Sequence, residues 1–306
     1  MRYSLALLAL AVGALAGFPA AAGATWPGKP GKIVYHGLDD ADEGARDGIY
    51  SIRRGGGHNH RIVRHTEGGV AVSASGRRIA FFRTGSELWQ ARSDGSKARR
   101  IVRLKRGSGS DAAWSPSGRR LVFTVNFERA VGRNERVVEV QEVWVVRRDG
   151  KGLHKLRRGD SATWSSQGLI AYATKGGDVA TMRPSGRGRH IWVPHGSPVI
   201  VRELDFSPDG RRIVWQQSTP NFSRNTIRTV NLRTGRRTKF RDVTKRVSAR
   251  DVIWAPGGHR LAFVHTAGGG AGPTQLRTIR PSGRGLRVRF DFPSGLTPFG
   301  FAWQTR

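Results

Sequence analysis

The sequence of 306 residues predicts an all-β fold, a six-bladed β-propeller built from four-stranded antiparallel blades. Three observations predict it. A short aromatic, turn and strand motif recurs along the chain, each recurrence is followed by a second pair of strand-like segments, and the two chain ends supply complementary parts of one more unit. Units of roughly 40–50 residues with four strands each are typical of propeller blades.

The first half of each unit joins an apolar or aromatic residue to a Ser/Pro/Gly turn and then to an apolar run. The recurrences are VSASGRRIAF at 72–81, AWSPSGRRLVF at 113–123, TWSSQGLIAY at 163–172, DFSPDGRRIVW at 205–215 and IWAPGGHRLAF at 253–263. We expect the recurrent tryptophans to pack between blades. They are Trp114, Trp164, Trp254 and Trp303.

The second half of each unit is a hairpin. Strand-like segments at 48–63, 87–102, 142–156, 178–192, 226–240 and 275–290 each contain a glycine turn. Asp-Gly and Ser-Gly turns between β-rich runs are hairpin signals, because glycine accepts positive φ.

The chain ends predict how the ring closes. Five complete units begin near residues 69, 111, 161, 203 and 250, three strands precede them, and one orphan strand, FGFAWQ at 299–304, follows them. We predict that this C-terminal strand is the innermost strand of the N-terminal blade, which removes the open sheet edges that a solenoid would retain.

Residues 1–24 predict export. A basic start, an apolar run over 5–18 and the small residues at 22–24 form a secretory signal peptide cleaved after Ala24, which leaves a propeller of residues 25–306. An uncleaved anchor is the alternative, although the run is short for a membrane span and no later stretch is long enough. We therefore expect a periplasmic, cell-wall-associated or secreted protein. Trp26 and Trp192 fall outside the repeat pattern and are therefore freer to lie at the surface.

The net charge of +31, from 53 Lys+Arg and 22 Asp+Glu, indicates an anionic partner. The turns between strands one and two and between strands three and four of a blade share one face, and most basic residues fall there. An arginine-rich genome would explain the arginines but not the shortage of acids. The predicted basic-face residues are Arg77, Arg78, Arg119, Arg120, Arg211, Arg212, Arg236, Arg237 and Arg260.

Three acidic residues form a second candidate site. Asp111, Glu203 and Asp251 each stand three places before the repeat aromatic, on the strand that would line the central tunnel. We expect them to gather at one tunnel mouth and bind a cation or a basic residue. The alternative is pairing with arginines such as Arg202 and Arg250. The other three equivalents are Gly69, Ser161 and Gly300.

No catalytic or metal-ligand set stands out, and we predict no cofactor. The absence of cysteine excludes disulfides, thiolate metal sites and a cysteine nucleophile. No G-x-S-x-G elbow occurs.

The W-S-P-[DS]-G-x-x-[IL]-[AV]-F pattern resembles the WD-like repeat of TolB-type six-bladed propellers. The resemblance spans nearly the whole of residues 25–306, is most specific at 114–118 and 206–210, and weakens at 72–76 and 163–168, where proline is missing. It implies the fold and a binding function. TolB itself has an additional N-terminal α/β domain, for which residues 25–31 leave no room, so the resemblance implies the fold and the binding style more securely than a role in the Tol system. Similar blades occur as gates in peptidases of the prolyl oligopeptidase type and as scaffolds of some lyases.

Together these features predict an exported, non-enzymatic, monomeric propeller that binds an envelope protein or an anionic cell-wall polymer. Nucleic acid is disfavoured, because export and the lack of interleaved exposed aromatics oppose it. The alternative is a propeller-scaffold lyase or hydrolase with a metal or carboxylate site at the central tunnel.

Overall fold

The computed structural model describes residues 24–39, 46–132, 136–195, 199–220, 225–240, 249–266 and 272–305. These residues form 24 strands arranged in six four-stranded antiparallel sheets. The strands follow from the sequence, because β-branched and aromatic runs alternate with Ser/Gly turns whose glycines adopt positive φ, as Gly118 and Gly210 do. The predicted fold class is confirmed.

The strands are as follows, in chain order. The N-terminal blade contributes β1 (Pro30–Asp39), β2 (Gly48–Ile52) and β3 (His60–Arg64). Blade 1 comprises β4 (Glu67–Val72), β5 (Arg78–Arg83), β6 (Glu87–Arg92) and β7 (Arg99–Arg103), and blade 2 comprises β8 (Ser108–Trp114), β9 (Arg120–Val131), β10 (Arg136–Arg147) and β11 (His154–Arg158). Blade 3 comprises β12 (Asp160–Trp164), β13 (Ile170–Ala173), β14 (Val179–Met182) and β15 (His190–Val193). Blade 4 comprises β16 (Ile200–Phe206), β17 (Arg212–Ser218), β18 (Asn225–Asn231) and β19 (Arg237–Phe240). Blade 5 comprises β20 (Ala249–Trp254), β21 (Leu261–Thr266), β22 (Thr274–Ile279) and β23 (Arg287–Asp291), and the final strand is β24 (Leu296–Thr305).

The C-terminal strand closes the ring, as the two chain ends predict. Strand β24 pairs with β1 in antiparallel register, so that Trp303 lies opposite Ile33 and Ala302 opposite Val34. The sheet order is therefore β24-β1-β2-β3, with β24 innermost. The innermost strands β4, β8, β12, β16, β20 and β24 contact one another in cyclic order around a central tunnel.

The repeat aromatics lie in the core. Trp114, Trp164, Trp254 and Trp303 are all buried, which confirms their predicted packing role. The largest continuous cluster joins Trp114, Trp164 and residues of neighbouring blades, so apolar burial links blade to blade.

Two kinds of turn share one face of the ring. The Arg148 amide, in the turn between strands three and four of blade 2, donates to the Arg119 carbonyl in the first turn of that blade. The same link joins Leu232 to Arg211 in blade 4. We call the face formed by the eleven turns 53–59, 73–77, 93–98, 115–119, 148–153, 165–169, 183–189, 207–211, 232–236, 255–260 and 280–286 the hairpin face.

The remaining connections lie on the opposite face, where the 12-residue strands β9 and β10 make the longest hairpin of the described chain.

A membrane-crossing helix, long and apolar enough to span a bilayer, does not occur in the part of the chain that the structure describes.

Candidate functional site

The tunnel wall contains one bulge per blade. Each innermost strand has a register shift against its neighbour, and the bulged residue adopts positive φ, between 51° and 71°. Such a bulge bends the strand and raises its twist. The six positive-φ residues are Gly68, Asp111, Ser161, Glu203, Asp251 and Gly300.

Blade 1 departs from the expected alignment by one residue. Gly69 is the sequence equivalent of Asp111, but Gly68 takes the left-handed conformation. The reason is that Val70 keeps its pairing with Phe81, so the bulge moves one place toward the strand start. The position of this bulge therefore follows the register of β4 with β5 and not the repeat alignment.

The predicted tunnel-mouth carboxylates lie inside the ring, in the middle of their strands. Asp111, Glu203 and Asp251 are at most 7% exposed. Glu203 accepts a hydrogen bond of 3.0 Å at Oε2 from the Val252 amide, so it joins blade 4 to the bulge of blade 5. Asp111 accepts a 2.9 Å hydrogen bond from the Ser110 hydroxyl.

The structure brings Glu203 and Asp251 close enough to interact electrostatically. Burial, reinforced by the negative charge of Asp251, raises the pKa of Glu203 to about 8. The charge of Arg202 lowers this pKa but is a smaller effect. The side chain of Arg250, the other proposed partner, lies outside the described residues.

A further buried carboxylate, Asp205, is not among the residues that the repeat pattern predicted. Its side chain is fully buried, and burial raises its pKa to about 7 despite several hydrogen bonds. Asp205 stands directly before the repeat aromatic Phe206. The signal was an acid at a position where other units have small or apolar residues, namely Ala71, Ala113, Thr163, Ile253 and Ala302.

The donors to Asp205 come partly from the start of the described chain. The Thr25 amide donates to Oδ1 at 3.0 Å, the Thr25 hydroxyl lies 2.7 Å from Oδ2, and the Trp254 amide donates to Oδ2 at 2.7 Å. Next to Thr25, the Trp26 indole donates to the Val72 carbonyl at 2.9 Å. The expectation that Trp26 lies at the surface is wrong, because this residue is 2% exposed.

The hairpin face is strongly basic. Its eleven turns contain 16 basic residues and three acidic residues, Asp94, Asp149 and Asp209. In the described connections of the opposite face, Arg46, Lys105, Arg106 and Lys175 stand against Asp47 and Asp178. The basic residues of the hairpin turns are Arg53, Arg54, Arg77, Lys97, Arg119, Arg148, Lys151, Arg183, Arg187, Arg189, Arg211, Arg233, Arg236, Arg260, Arg280 and Arg284.

The nine predicted basic-face arginines divide into two groups. Arg78, Arg212 and Arg260 are half-buried. The Arg212 guanidinium lies 4.5 Å from the Trp254 ring and donates to the Gly258 carbonyl, whereas Arg260 donates to Thr278. These two side chains therefore hold turns together. The exposed members are Arg77, Arg119, Arg120, Arg211, Arg236 and Arg237.

A cleft of about 450 Å³ opens on the same face beside the N-terminal blade. Four cationic side chains line it, from Lys29, Lys32, Arg53 and Arg54. The repeat pattern does not indicate these four residues, because the two pairs lie far apart along the chain and come together only through the pairing of β1 with β2.

In the described part of the chain, no cluster of three or more His, Asp or Glu side chains is arranged to hold a metal ion. The buried His36 ring lies 2.8 Å from the Thr66 carbonyl oxygen, and burial lowers its pKa. His36 therefore has a hydrogen-bond partner within the fold.

Comparison with known proteins places the fold. No protein-family model matches the sequence, and no curated protein matches it. Among solved structures, TolB from Acinetobacter baumannii superposes with a TM-score of 0.72 at 15% identity, covering 90% of this chain and 67% of that one. The chain has the six-bladed propeller fold of TolB.

Other solved structures with this fold are proteins of different kinds. A chain of a nidogen/laminin complex matches with a TM-score of 0.65 at 13% identity, over 90% of this chain and 98% of that chain. An oligogalacturonate lyase in complex with manganese matches with a TM-score of 0.57 at 10% identity, over 87% and 85%. The TolB-like fold thus occurs in binding proteins and in enzymes, and the fold does not choose between them.

Proposed function

We propose that this protein is an exported, non-enzymatic propeller that binds an anionic cell-wall polymer through its hairpin face, acting as a monomer. The observation that supports it is the charge of the eleven turns, 16 basic residues against three acidic ones. All of these basic residues except Arg260 are exposed, so their charge is presented to solvent.

The arrangement suits a long polyanion better than a small ligand. The cations come from all six blades and form a broad field, which attracts an extended chain of negative charges in many registers. The cleft lined by Lys29, Lys32, Arg53 and Arg54 is a concave part of the same field. Such binding weakens steeply with salt, because the Debye length falls from ~10 Å at 0.1 M to ~3 Å at 1 M.

Export is part of the proposal, and it rests on residues 1–24. Their pattern is that of a signal peptide with cleavage after Ala24, and the lack of cysteine excludes lipid attachment at an N-terminal Cys. N-terminal sequencing of the protein recovered from the envelope or the medium should give Thr25 first. An unprocessed form in the membrane fraction would instead support an anchor.

A charge-reversal experiment tests the binding face. Replacing Arg119, Arg120, Arg211 and Arg236 by Glu changes the charge by eight units at exposed positions of three turns and one strand start. The matched control reverses four exposed cations of the opposite face, Lys105, Arg129, Arg136 and Lys175. The first variant should elute from heparin, and from an immobilised anionic wall polymer, at clearly lower salt than the parent. Equal elution of the two variants would contradict the proposal.

An acidic envelope protein is the other anionic partner that this face would suit. Two measurements distinguish the anionic polymer from the acidic protein: the salt dependence of binding, and binding to the purified polymer. A polymer ligand predicts that the parent binds protein-free cell wall and that the hairpin-face variant does not. Retention only when wall proteins are present would overturn the polymer assignment.

A tunnel-based lyase or hydrolase is the second candidate. The observation that favours it is the buried Glu203, whose pKa of about 8 suits proton transfer near neutral pH. Glu203 also bonds the Val252 amide, which is a structural use of the same group. Incubation with acidic polysaccharides and Mn²⁺, followed by product analysis, tests it. Turnover that disappears in Glu203→Gln would favour the enzyme.

A further inference from the structure

The first described residues, Ala24–Trp26, lie across the end of the tunnel at the hairpin face. Thr25 contacts Asp205 of β16 and Trp254 of β20, and the Trp26 indole contacts Val72 of β4. All three residues of the segment are at most 4% exposed. The segment therefore links three blades that are not all neighbours in the ring.

Asp205 forms a built anionic site at this point. Its carboxylate is fully buried and receives the Thr25 amide, the Thr25 hydroxyl and the Trp254 amide. None of these donors in the described structure is a cation. A buried carboxylate without a countercharge is costly, whereas a paired and hydrogen-bonded one is tolerated.

We propose that the ligand of Asp205 is the α-ammonium group of Thr25, created when residues 1–24 are removed. This inference rests on the proposed export. Hydrolysis of the Ala24–Thr25 peptide bond consumes one water, leaves the new carboxylate on Ala24 and frees the Thr25 nitrogen as an amine, which takes up a proton near neutral pH. The 3.0 Å contact to Oδ1 then changes from an amide hydrogen bond to a charge-assisted one.

The burial of the cleavage site fixes an order of events. The Ala24–Thr25 bond lies inside the folded ring, where a peptidase has no access. Cleavage therefore precedes ring closure, and the freed N-terminus enters as the last blades assemble. Removal of Ala24 takes one small side chain from the core and supplies a full positive charge to a site that lacks one.

The experiment uses protein produced without a leader, so it does not depend on export. Four proteins form a cycle: free Thr25 or Nα-acetylated Thr25, each with Asp205 or with the substitution Asp205→Asn. The free amine should raise Tm by roughly 5 °C over the acetylated form when Asp205 is present, and the difference should vanish in the Asp205→Asn pair, which lacks the negative charge. Equal Tm values for the free and acetylated parents would overturn the proposal.

Labelling of the α-amine gives a second readout that needs no variant. In the folded parent, the Thr25 amine should react with an amine-selective reagent about tenfold more slowly than in the unfolded protein, because reaction requires local opening. Reaction at the unfolded rate would overturn the proposal even if Asp205→Asn fails to fold. Sequencing of the exported protein separates the two ideas: export with a first residue other than Thr25 leaves the proposed function standing and overturns this inference.

Discussion

The hairpin face and the tunnel wall differ in what determines their charged residues. In the tunnel, six equivalent positions share one backbone conformation while their side chains differ, from glycine and serine to aspartate and glutamate. In the hairpin turns, basic side chains occur in ten of the eleven turns, at offsets that coincide in some blades and differ in others. The tunnel positions are thus fixed by what the backbone must do, and the turn positions by the charge that the surface presents.

The energetic consequences differ as well. The turn cations remain in water, where an exposed charge costs little and changes stability little. The tunnel carboxylates lose water on folding, and the raised pKa values of Glu203 and Asp205 express that loss. Changes at the tunnel wall should therefore alter folding, whereas changes at the turns should alter binding.

The largest effect is expected when one tunnel strand is removed. Truncation after Pro298 deletes most of β24, including the buried Phe301 and Trp303, and exposes the edges of β1 and of the ring. Removing one large buried aromatic costs about 3–5 kcal/mol, so losing two costs about 6–10 kcal/mol, which is comparable with the whole free energy of unfolding of a typical domain, about 5–15 kcal/mol. We expect loss of the cooperative melting transition. A soluble product with an unchanged melting curve would contradict ring closure. Addition of a synthetic 296–305 peptide to the truncated protein should restore the melting transition in part.

A smaller effect is expected from the pH dependence of Glu203. Its folded-state pKa of about 8 lies above the ordinary 4.5, so the folded state binds more protons between these values and stability falls as pH rises through this window. Glu203→Gln keeps an acceptor for the Val252 amide but does not titrate. The decline in Tm from about pH 5 to about pH 8 should be shallower in this variant by several degrees.

Comparing the pH dependence of Tm between the parent and Glu203→Gln isolates the contribution of Glu203. His36 has a lowered pKa and destabilises the fold as pH falls, but it is present in both proteins and cancels. The carboxyl of Asp205 is likewise common to both. Parallel curves for parent and Glu203→Gln would show that Glu203 keeps an ordinary pKa, and would remove the physical basis of the tunnel enzyme.

The repeat pattern predicted the architecture well because it reports on side-chain burial. The recurrent apolar or aromatic residue and the Ser/Pro/Gly turn, together with the leftover strands at the two chain ends, indicated six blades, four strands per blade and the pairing of β24 with β1. The location of the basic residues on the hairpin face followed from topology alone, because the turns between strands one and two and between strands three and four of every blade lie on the same face. Both features depend on local sequence repeated many times.

Features that occur once were harder to predict. The burial of Trp26 depends on contacts with Val72, which lies 46 residues away, and no repeat announces it. The contact of the Arg212 guanidinium with the Trp254 ring depends on the direction of the side chain at the start of β17. Asp205 is only the first residue of the recurrent segment at 205–215 in the sequence, and its hydrogen bond with Thr25 joins residues that are 180 positions apart. Single long-range contacts have no period for a sequence pattern to detect.

The smallest effect is expected from the bulge conformation itself, tested at Ser161. This residue is 3% exposed and has φ of 52°, a conformation that glycine adopts freely and that β-branched residues avoid. Ser161→Gly should leave stability unchanged or raise it by up to about 1 kcal/mol, whereas Ser161→Val should lower it by about 1–3 kcal/mol in urea unfolding. Ser51, equally buried in the regular strand β2, is the matched control, and there we expect the reverse order, with Gly worse than Val. If the Gly and Val variants have the same order of stability at Ser161 and at Ser51, the tunnel position is determined by its side chain and not by its backbone conformation. The contrast with the hairpin face would then fail.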